Sequence, residues 1–483
     1  MFNYRSYALS RLASIGPKYL PFADVATDEV PLSRLLRLSL FQVTVGMALV
    51  LLVGTLNRVM IVELAVPASV VAIMLALPLL FAPLRMLIGY KSDTHVSALG
   101  LRRAPYIWKG TLYQFGGFAI MPFALLVLSG YGEAVDAPPW LGPGAAGLAF
   151  LLVGAGLHMV QTVGLALATD LVEDKDQPKV VGLMYVMLLL GMVGSALIFG
   201  ALLENYTPGR LIQVIQGCAV TTVVLNMFAM WKQEARDRVR AAQMLEARPQ
   251  GFETAVRNLT TRPGVKRLLI VIALGTFGYG MADVLLEPYG GQALGLSVAQ
   301  TTKLTALFAG GTLLGFAYAS HVLGQGASPV RLGRIGASIG LPGFAAIILS
   351  SLGGGIALFL VGTLLTGLGA GLFGHATLTA VMRSAPKGQI GMALGTWGAV
   401  QATCAGLAVA LAGIVRDLVV GFSGSTGIAA QAPYTLVFMI EIVMLTLAVV
   451  VAVPLGLGIK GSRMQTNETR SVAGTDQTSV EVS

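Results

Sequence analysis

Four ionisable side chains stand inside long apolar stretches of the sequence: Arg58 and Glu63 in one stretch, and Asp283 and Glu287 in another. Burying a charge in hydrocarbon costs several kcal/mol, so such residues usually pair with one another or serve a function. Asp283 and Glu287 are four residues apart, which places them on one face of a helix. We predict that Arg58 neutralises Asp283 or Glu287. Two interpretations stay open: a substrate or proton site, or a structural ion pair.

The sequence contains no pattern that is typical of an enzyme. It has no P-loop, no HExxH motif and no nucleophile elbow, and its four histidines are far apart. The glycine-rich runs at 353–355 and 367–371 lack the lysine that a phosphate-binding loop needs, and they favour close packing of helices instead. Cys218 and Cys404 form no metal-binding spacing. We therefore predict a protein that is not an enzyme and has no metal site.

The composition indicates a membrane protein. Of the 483 residues, 55% are hydrophobic and only 11% are charged, whereas a soluble domain has about 25% charged residues. The net charge of +9 would suggest a nucleic-acid partner in a soluble protein. Here the basic residues lie between the apolar runs, so we expect contact with membrane lipid and no nucleic acid.

Apolar runs of about 20 residues or more are long enough to span a bilayer. Twelve such runs lie at about 38–62, 66–89, 106–130, 143–169, 179–203, 210–231, 268–289, 300–322, 332–352, 355–382, 390–415 and 434–458. We predict an all-α integral membrane protein with twelve transmembrane helices. The predicted parts are an N-terminal segment (1–37), a first six-helix bundle (38–231), a linker (232–267), a second six-helix bundle (268–458) and a disordered tail (459–483).

The basic residues predict the orientation of these spans. If the N-terminus is cytoplasmic, every one of the 32 Lys and Arg residues falls on the cytoplasmic side except Arg58, Arg210, Lys303 and Arg416. Cytoplasmic loops carry the excess of Lys and Arg in membrane proteins. We predict that both termini and the linker are cytoplasmic.

The two sets of six spans look like repeats of one another. Gly154-Ala-Gly156-Leu157 in the fourth span recurs as Gly369-Ala-Gly371-Leu372 in the tenth. Internal repeats are common in transporter folds. We predict two pseudo-symmetric bundles.

A short polar stretch between the second and third runs carries Gly89, Asp93, Gly100, Arg102 and Arg103. A glycine lets two helices approach closely, and an acid at a helix end can hold a facing helix or an arginine. The order resembles the signature loop between helices 2 and 3 of the major facilitator superfamily, with a longer spacer after the acid. An ordinary positively charged loop would also fit.

Longer segments resemble one branch of that superfamily: 22–24, 34–42, 54–64, 91–95, 102–108, 114–124 and 283–291. Two are specific: the Asn57-Arg58…Glu63-Leu64 segment, and Asp283-Val-Leu-Leu-Glu287-Pro-Tyr-Gly-Gly291. The resemblance covers about residues 20–458. It is to the bacteriochlorophyll-delivery branch, the PucC/LhaA light-harvesting assembly proteins of purple phototrophs.

The resemblance implies a factor in the bacterial inner, intracytoplasmic photosynthetic membrane that helps antenna polypeptides acquire bacteriochlorophyll. Its implied partners are light-harvesting antenna polypeptides, with pigment-synthesis enzymes as further candidates, and bacteriochlorophyll is its implied cargo. The alternative is a proton-coupled secondary transporter of a small solute, acting through Glu63, Asp283 and Glu287. A transporter should have charges near mid-depth, whereas we expect these near the outer ends of their spans. The loop at 321–334 also lacks the acid of the signature loop.

Three side chains are candidates for binding such a pigment: His158, His375 and Asn57. A neutral imidazole can ligate the magnesium of a chlorin, and water or an amide group can also do so. His158 lies near mid-depth of the fourth span, and His375 lies nearer the cytoplasmic end of the tenth. A single histidine on a membrane helix also fits the role of a hydrogen-bonded packing residue.

Overall fold

The structure is a computed structural model that describes residues 30–80, 88, 92, 101, 103–129, 136, 138, 140–173, 176–234, 261, 263–384, 390–423 and 431–475. Short turns and loops connect long helices in this part of the chain. The helices are α1 (Leu32–Glu63), α2 (Ala68–Leu80), α3 (Ala104–Leu128), α4 (Leu141–Asp170), α5 (Gln177–Leu202), α6 (Pro208–Met230), α7 (Val265–Leu294), α8 (Val298–Gly324), α9 (Pro329–Leu349), α10 (Gly355–Ser384), α11 (Ile390–Ser423) and α12 (Ala432–Thr475).

These helices correspond in order to the twelve predicted spans. Ten stretches of described residues are long and apolar enough to cross a membrane. One of them, Pro329–Ser384, is a hairpin of α9 and α10 that reverses at a π-helical turn, where Gly353 and Gly355 have φ of +118° and +68°. Glycine adopts such angles without the steric cost of a side chain. The described part of the second predicted span is the shorter apolar helix α2.

The packing of the helices repeats with an offset of six, which confirms the predicted pseudo-symmetry. In the first bundle (α1–α6), α3 packs against α4 and α6, α1 against α5, and α2 against α4. In the second bundle (α7–α12), α9 packs against α10 and α12, α7 against α11, and α8 against α10. The two bundles meet along a seam made by α2 with α11 and by α5 with α8.

Polar side chains buried within the first bundle bond to one another across helices. Thr44 of α1 donates to Asn226 Oδ1 of α6 at 2.9 Å, and Asn226 Nδ2 donates to Thr111 Oγ1 of α3 at 2.9 Å. All three side chains are fully buried. Such bonds between membrane helices are worth about 0.6 kcal/mol each on average, so Asn226 ties three helices together.

Small residues set the separation of helices in the second bundle. A side chain at Gly371 of α10 would collide with the backbone of Thr312 on α8. Gly374, three residues further along α10, faces open space. The glycine-rich sequence of α10 therefore serves close helix contact at Gly371, as the spacing indicated.

The structure differs from the sequence prediction at the C-terminus. The backbone of α12 is helical to Thr475, whereas we expected disorder from residue 459. An apolar span already supplies a helical nucleus, and extending a helix from it costs far less than starting one. Residues 1–29 and most of the predicted linker, 235–260, lie outside the described residues.

Candidate functional site

The first helix is wound more loosely than an α-helix where it carries its charges. Val50–Leu56 and Val59–Glu63 are π-helical. A π-helix bonds residue i to residue i+5, so residues five apart lie nearly above one another. Arg58 and Glu63 are therefore neighbours, and they form an ion pair. Arg58 Nη2 also donates to the carbonyl of Leu296, two residues before the start of α8, at 3.0 Å.

The predicted pairing of Arg58 with Asp283 or Glu287 is wrong, because Glu63 already neutralises Arg58. Both acids lie in the second part of α7, after the break in this helix at Met281. Glu287, only 4% exposed, accepts a hydrogen bond from Thr305 Oγ1 of α8 at 2.9 Å. Neither acid forms an ion pair with any residue that the structure describes.

A further carboxylate, which is buried and which sequence reasoning missed, belongs to the same region. Glu441 of α12 is fully buried, and its Oε1 accepts a hydrogen bond from the backbone N–H of Ala282 at 2.6 Å. Asp283 is close enough for its charge to interact with those of Glu441 and Glu287. Asp283 also lies nearer the middle of α7 than its outer end, where we expected charge, and Glu441 lies near the middle of the apolar part of α12, Ala432–Leu455. The available signal was a single carboxylate in a run of apolar residues.

Asn57 has a structural partner in the second bundle. Pro288 in α7 has no backbone N–H, so the carbonyl of Val284, four residues earlier, lacks its helical donor. Asn57 Nδ2 donates to this carbonyl at 2.9 Å. In a membrane helix such a freed carbonyl needs a partner from a neighbouring helix. The structure therefore assigns the donor group of Asn57 to the contact between α1 and α7.

The end of the structure that contains Arg58, called here the Arg58 end, holds a second set of polar contacts between helices. Asp417 of α11 accepts a hydrogen bond from the backbone N–H of Ser69 in α2 at 2.6 Å. Arg416 donates to Gln292 of α7 at 2.9 Å, and Gln292 also accepts from the Tyr434 hydroxyl at 2.5 Å. The first of these bonds joins the two bundles at this end, and the other two connect helices of the second bundle.

Tyr206 lies at the same end, in the turn between α5 and α6. Burial raises the pKa of its phenol above the usual value of 10.0, and the nearby Glu63 carboxylate raises it further. Arg58 opposes this shift. The phenol therefore stays neutral beside the ion pair at physiological pH.

The opposite end, called here the Arg103 end, holds the described part of the signature loop. Arg103 donates to Asp170 of α4 at 3.1 Å and to Ser92 at 2.7 Å. The Glu234 carboxylate accepts from the backbone N–H groups of Arg103 and Ala104, at 2.9 and 3.0 Å for the first and 2.9 Å for the second. A carboxylate in this place stabilises the start of α3. The other predicted members of the loop lie outside the described residues: Gly89, Asp93, Gly100 and Arg102.

A cavity of about 380 Å³ opens on the seam near the Arg103 end, between α5, α8 and α10. His375 of α10 lies in its wall, with its ring centroid 4.1 Å from that of Phe316. Phe316 also stacks on Tyr185 of α5, at 6.3 Å between ring centroids. His158 is not in this wall; it is buried in α4 and has interactions of its own. Of the three predicted pigment-binding residues, the structure places only His375 at this cavity.

Comparison with known proteins gives one family. The PUCC protein family matches residues 55–458. "Protein PucC" of Rhodobacter capsulatus is 70% identical over 455 residues, covering 94% of this chain and 98% of the relative. "Protein PucC" of Rhodovulum sulfidophilum is 62% identical, covering 89% and 94%. A more distant relative, the "Bacteriochlorophyll synthase 44.5 kDa chain" of Rhodobacter capsulatus, is 28% identical, covering 77% and 85%.

Solved structures confirm the major-facilitator type of fold. A bacterial homologue of the iron transporter ferroportin, in its inward-facing state, superposes with a TM-score of 0.64 at 17% identity. The match covers 88% of this chain and 98% of the homologue. At this identity the likeness concerns the fold alone.

Proposed function

We propose that the chain, which belongs to the PUCC protein family, is an assembly factor for light-harvesting antenna complexes that binds bacteriochlorophyll and delivers it to nascent antenna polypeptides. The observation that carries this proposal is the match to PucC proteins over nearly the whole chain. Four of the seven segments that resemble the PucC/LhaA assembly proteins, 91–95, 102–108, 114–124 and 283–291, lie within residues 55–458, which the family matches. A relative named as a bacteriochlorophyll synthase chain also supports the link to this pigment.

The architecture fits handling of a cargo without chemistry on it. Three of the buried ionisable side chains are engaged in bonds to neighbouring parts of the fold: Arg58 with the carbonyl of Leu296, Glu287 with Thr305, and Glu441 with the backbone of Ala282. The seam between the bundles has an apolar cavity, which suits a flat apolar molecule. We propose a location in the bacterial inner, photosynthetic membrane with both termini cytoplasmic.

Deleting the gene tests this function directly. We expect the deletion strain to lose antenna complexes while it continues to synthesise bacteriochlorophyll, and the intact gene to restore them. Protein purified in mild detergent should show a bacteriochlorophyll absorption band and co-purify with antenna polypeptides. Normal antenna levels in the deletion strain would contradict the proposal.

One observation favours a second function, proton-coupled transport of a small solute. Asp283, Glu287 and Glu441 lie on neighbouring helices, away from the helix ends, and none has an ion-pair partner within the described residues. Carboxyl groups placed in this way are typical of proton relays in transporters. If vesicles containing the pure protein show proton-coupled solute flux, and the protein carries neither pigment nor antenna polypeptides, this second function is the correct one.

A further inference from the structure

The cavity on the seam has an apolar interior and a polar mouth. Val181, Tyr185, Phe316, Leu378 and Met382 supply apolar wall, and they come from α5, α8 and α10. Because α5 belongs to the first bundle and α8 and α10 to the second, a molecule in the cavity contacts both bundles. Stacked aromatic rings in a slot of this kind favour a flat ligand.

His375 presents one free ring nitrogen to this cavity. Its Nδ1 is buried and has no hydrogen-bond partner. Its Nε2 has no partner within the described residues and is not buried, which leaves it as the ring nitrogen open to the cavity that His375 lines. A neutral imidazole carries one N–H and one lone pair. A buried N–H without an acceptor is rarer than a buried acceptor without a donor. The proton therefore belongs on Nε2, and the nitrogen that faces the cavity is a donor.

Two cations stand at the cavity alongside this donor. Arg383 donates to the carbonyls of Leu323 and Ala327, at 3.1 and 3.2 Å, and it has no carboxylate partner within the described residues. Lys179, 40% exposed, has the side chain of Asp176 at 3.1 Å. Within the part of the chain that the structure describes, no carboxylate thus compensates the positive charge of Arg383. An anionic group on a bound molecule would be attracted to it.

We propose that this cavity binds a flat apolar molecule that bears a carboxylate, which accepts a hydrogen bond from His375 Nε2–H and lies toward Arg383 and Lys179. The choice of a chlorin as the flat ring rests on the proposed function. For this ring system, the geometry selects a chlorin with a free carboxyl group over its ester. It also gives His375 the role of hydrogen-bond donor in place of metal ligand.

Three chlorins distinguish these roles when titrated into the full-length protein in lipid nanodiscs, with ring fluorescence as the readout. They are metal-free pheophorbide a, its methyl ester, and the zinc complex of that ester. A hydrogen bond to a charged group corresponds to about tenfold in affinity or more. We therefore expect pheophorbide a to bind about tenfold more tightly than its ester. If the zinc ester binds and metal-free pheophorbide a does not, the imidazole is a metal ligand and the proposal is wrong.

Substitutions at His375 locate the binding. His375→Phe keeps a ring against Phe316 but removes the donor, so pheophorbide a should bind about tenfold more weakly. His375→Gln keeps an N–H donor and should restore most of the affinity. His321→Phe is the matched control, because His321 is exposed at the end of α8 and bonds to Gln325. Equal binding by all four proteins would overturn the proposal. His375→Phe could lose binding because it aggregates, and His375→Gln then decides the outcome. If His375→Gln is folded and still does not bind pheophorbide a, the proposal is wrong.

The outcome is separable from that of the proposed function. If the purified protein carries bacteriochlorophyll and supports antenna assembly but does not bind pheophorbide a, the cavity proposal fails and the function stands. If pheophorbide a binds with the expected dependence on His375 while the deletion strain assembles its antenna normally, the cavity proposal stands and the proposed function fails.

Discussion

The ion pair between Arg58 and Glu63 should respond unequally to the loss of its two members. The side chain of Arg58 is 4% exposed and that of Glu63 is 37% exposed. Removing Glu63 leaves a buried guanidinium whose remaining bond is to the carbonyl of Leu296. Removing Arg58 instead leaves a carboxylate that water already reaches. The first change therefore strands a charge and the second does not.

The sizes of the two effects follow from this difference. Stranding one member of a buried pair costs roughly 3–5 kcal/mol, and an exposed pair contributes about 0–1 kcal/mol. Because Glu63 is partly hydrated, we expect Glu63→Ala to lower the free energy of unfolding by about 2–4 kcal/mol. We expect Arg58→Met to lower it by about 1–2 kcal/mol, mainly through the unsatisfied carbonyl of Leu296.

A double-mutant cycle measured by reversible unfolding in mixed detergent micelles tests this reasoning. The variant with both Arg58→Met and Glu63→Ala should be more stable than Glu63→Ala alone, because it contains no stranded charge. Glu204→Ala is a control that removes an exposed carboxylate at the same end of the bundle. Additive costs, or a larger cost for Arg58→Met than for Glu63→Ala, would refute the reasoning.

Three further predictions concern packing and topology. Asn226→Leu removes two buried hydrogen bonds and should lower the unfolding free energy by about 1–2 kcal/mol, whereas Met227→Leu on the exposed side of α6 should have no measurable effect. Gly371→Val should reduce the yield of folded, monodisperse protein because α8 leaves no room for a side chain, while Gly374→Ala should elute as the wild type does. Reporter fusions after Lys232 and at the C-terminus should both read as cytoplasmic, and a periplasmic signal from either one would contradict the predicted orientation.

The architecture could be predicted from the sequence because its signals are local. A bilayer requires long apolar runs, and each of the twelve runs corresponds to a helix. The pseudo-symmetry was also visible, since the small residues of the fourth and tenth spans recur in the same order. In the structure both sets of glycines allow close helix contact, although aligned positions face different neighbours. A side chain at Gly156 of α4 would collide with α3, whereas one at the aligned Gly371 of α10 would collide with α8.

The charge pairing could not be predicted, because it depends on a departure from ideal helix geometry. In an α-helix, residues five apart point to different sides, so the sequence offered Arg58 no partner within its own span. The π-helical turns bring Glu63 beneath it. Glu441 was missed for a related reason. Its partner is the backbone N–H of Ala282, and nothing in the sequence marks a backbone group as available.

The role of Asn57 shows that a residue within a motif can have a structural partner that the sequence does not reveal. Its amide was a candidate ligand. Pro288 in α7 leaves the carbonyl of Val284 without a donor in its own helix, and Asn57 of the neighbouring helix α1 supplies the hydrogen bond. The proline and the asparagine are far apart in the sequence, and their relation appears only once α1 and α7 are placed side by side. Likewise, His375 could be singled out from the sequence, but the cavity around it needs three helices from two bundles.

The bond from Ala282 to Glu441 has a consequence for how the protein is made. The two residues are 159 positions apart, and ribosomes add about 5–20 residues per second. The second part of α7 therefore leaves the ribosome roughly 8–30 seconds before the side chain that satisfies its first N–H. An unsatisfied backbone group costs several kcal/mol in hydrocarbon, so this stretch gains its final stability only when α12 enters the membrane. The insertion of α12 is thus the step that closes the second bundle, and until then any protein bound to the nascent chain would contact an incompletely folded α7.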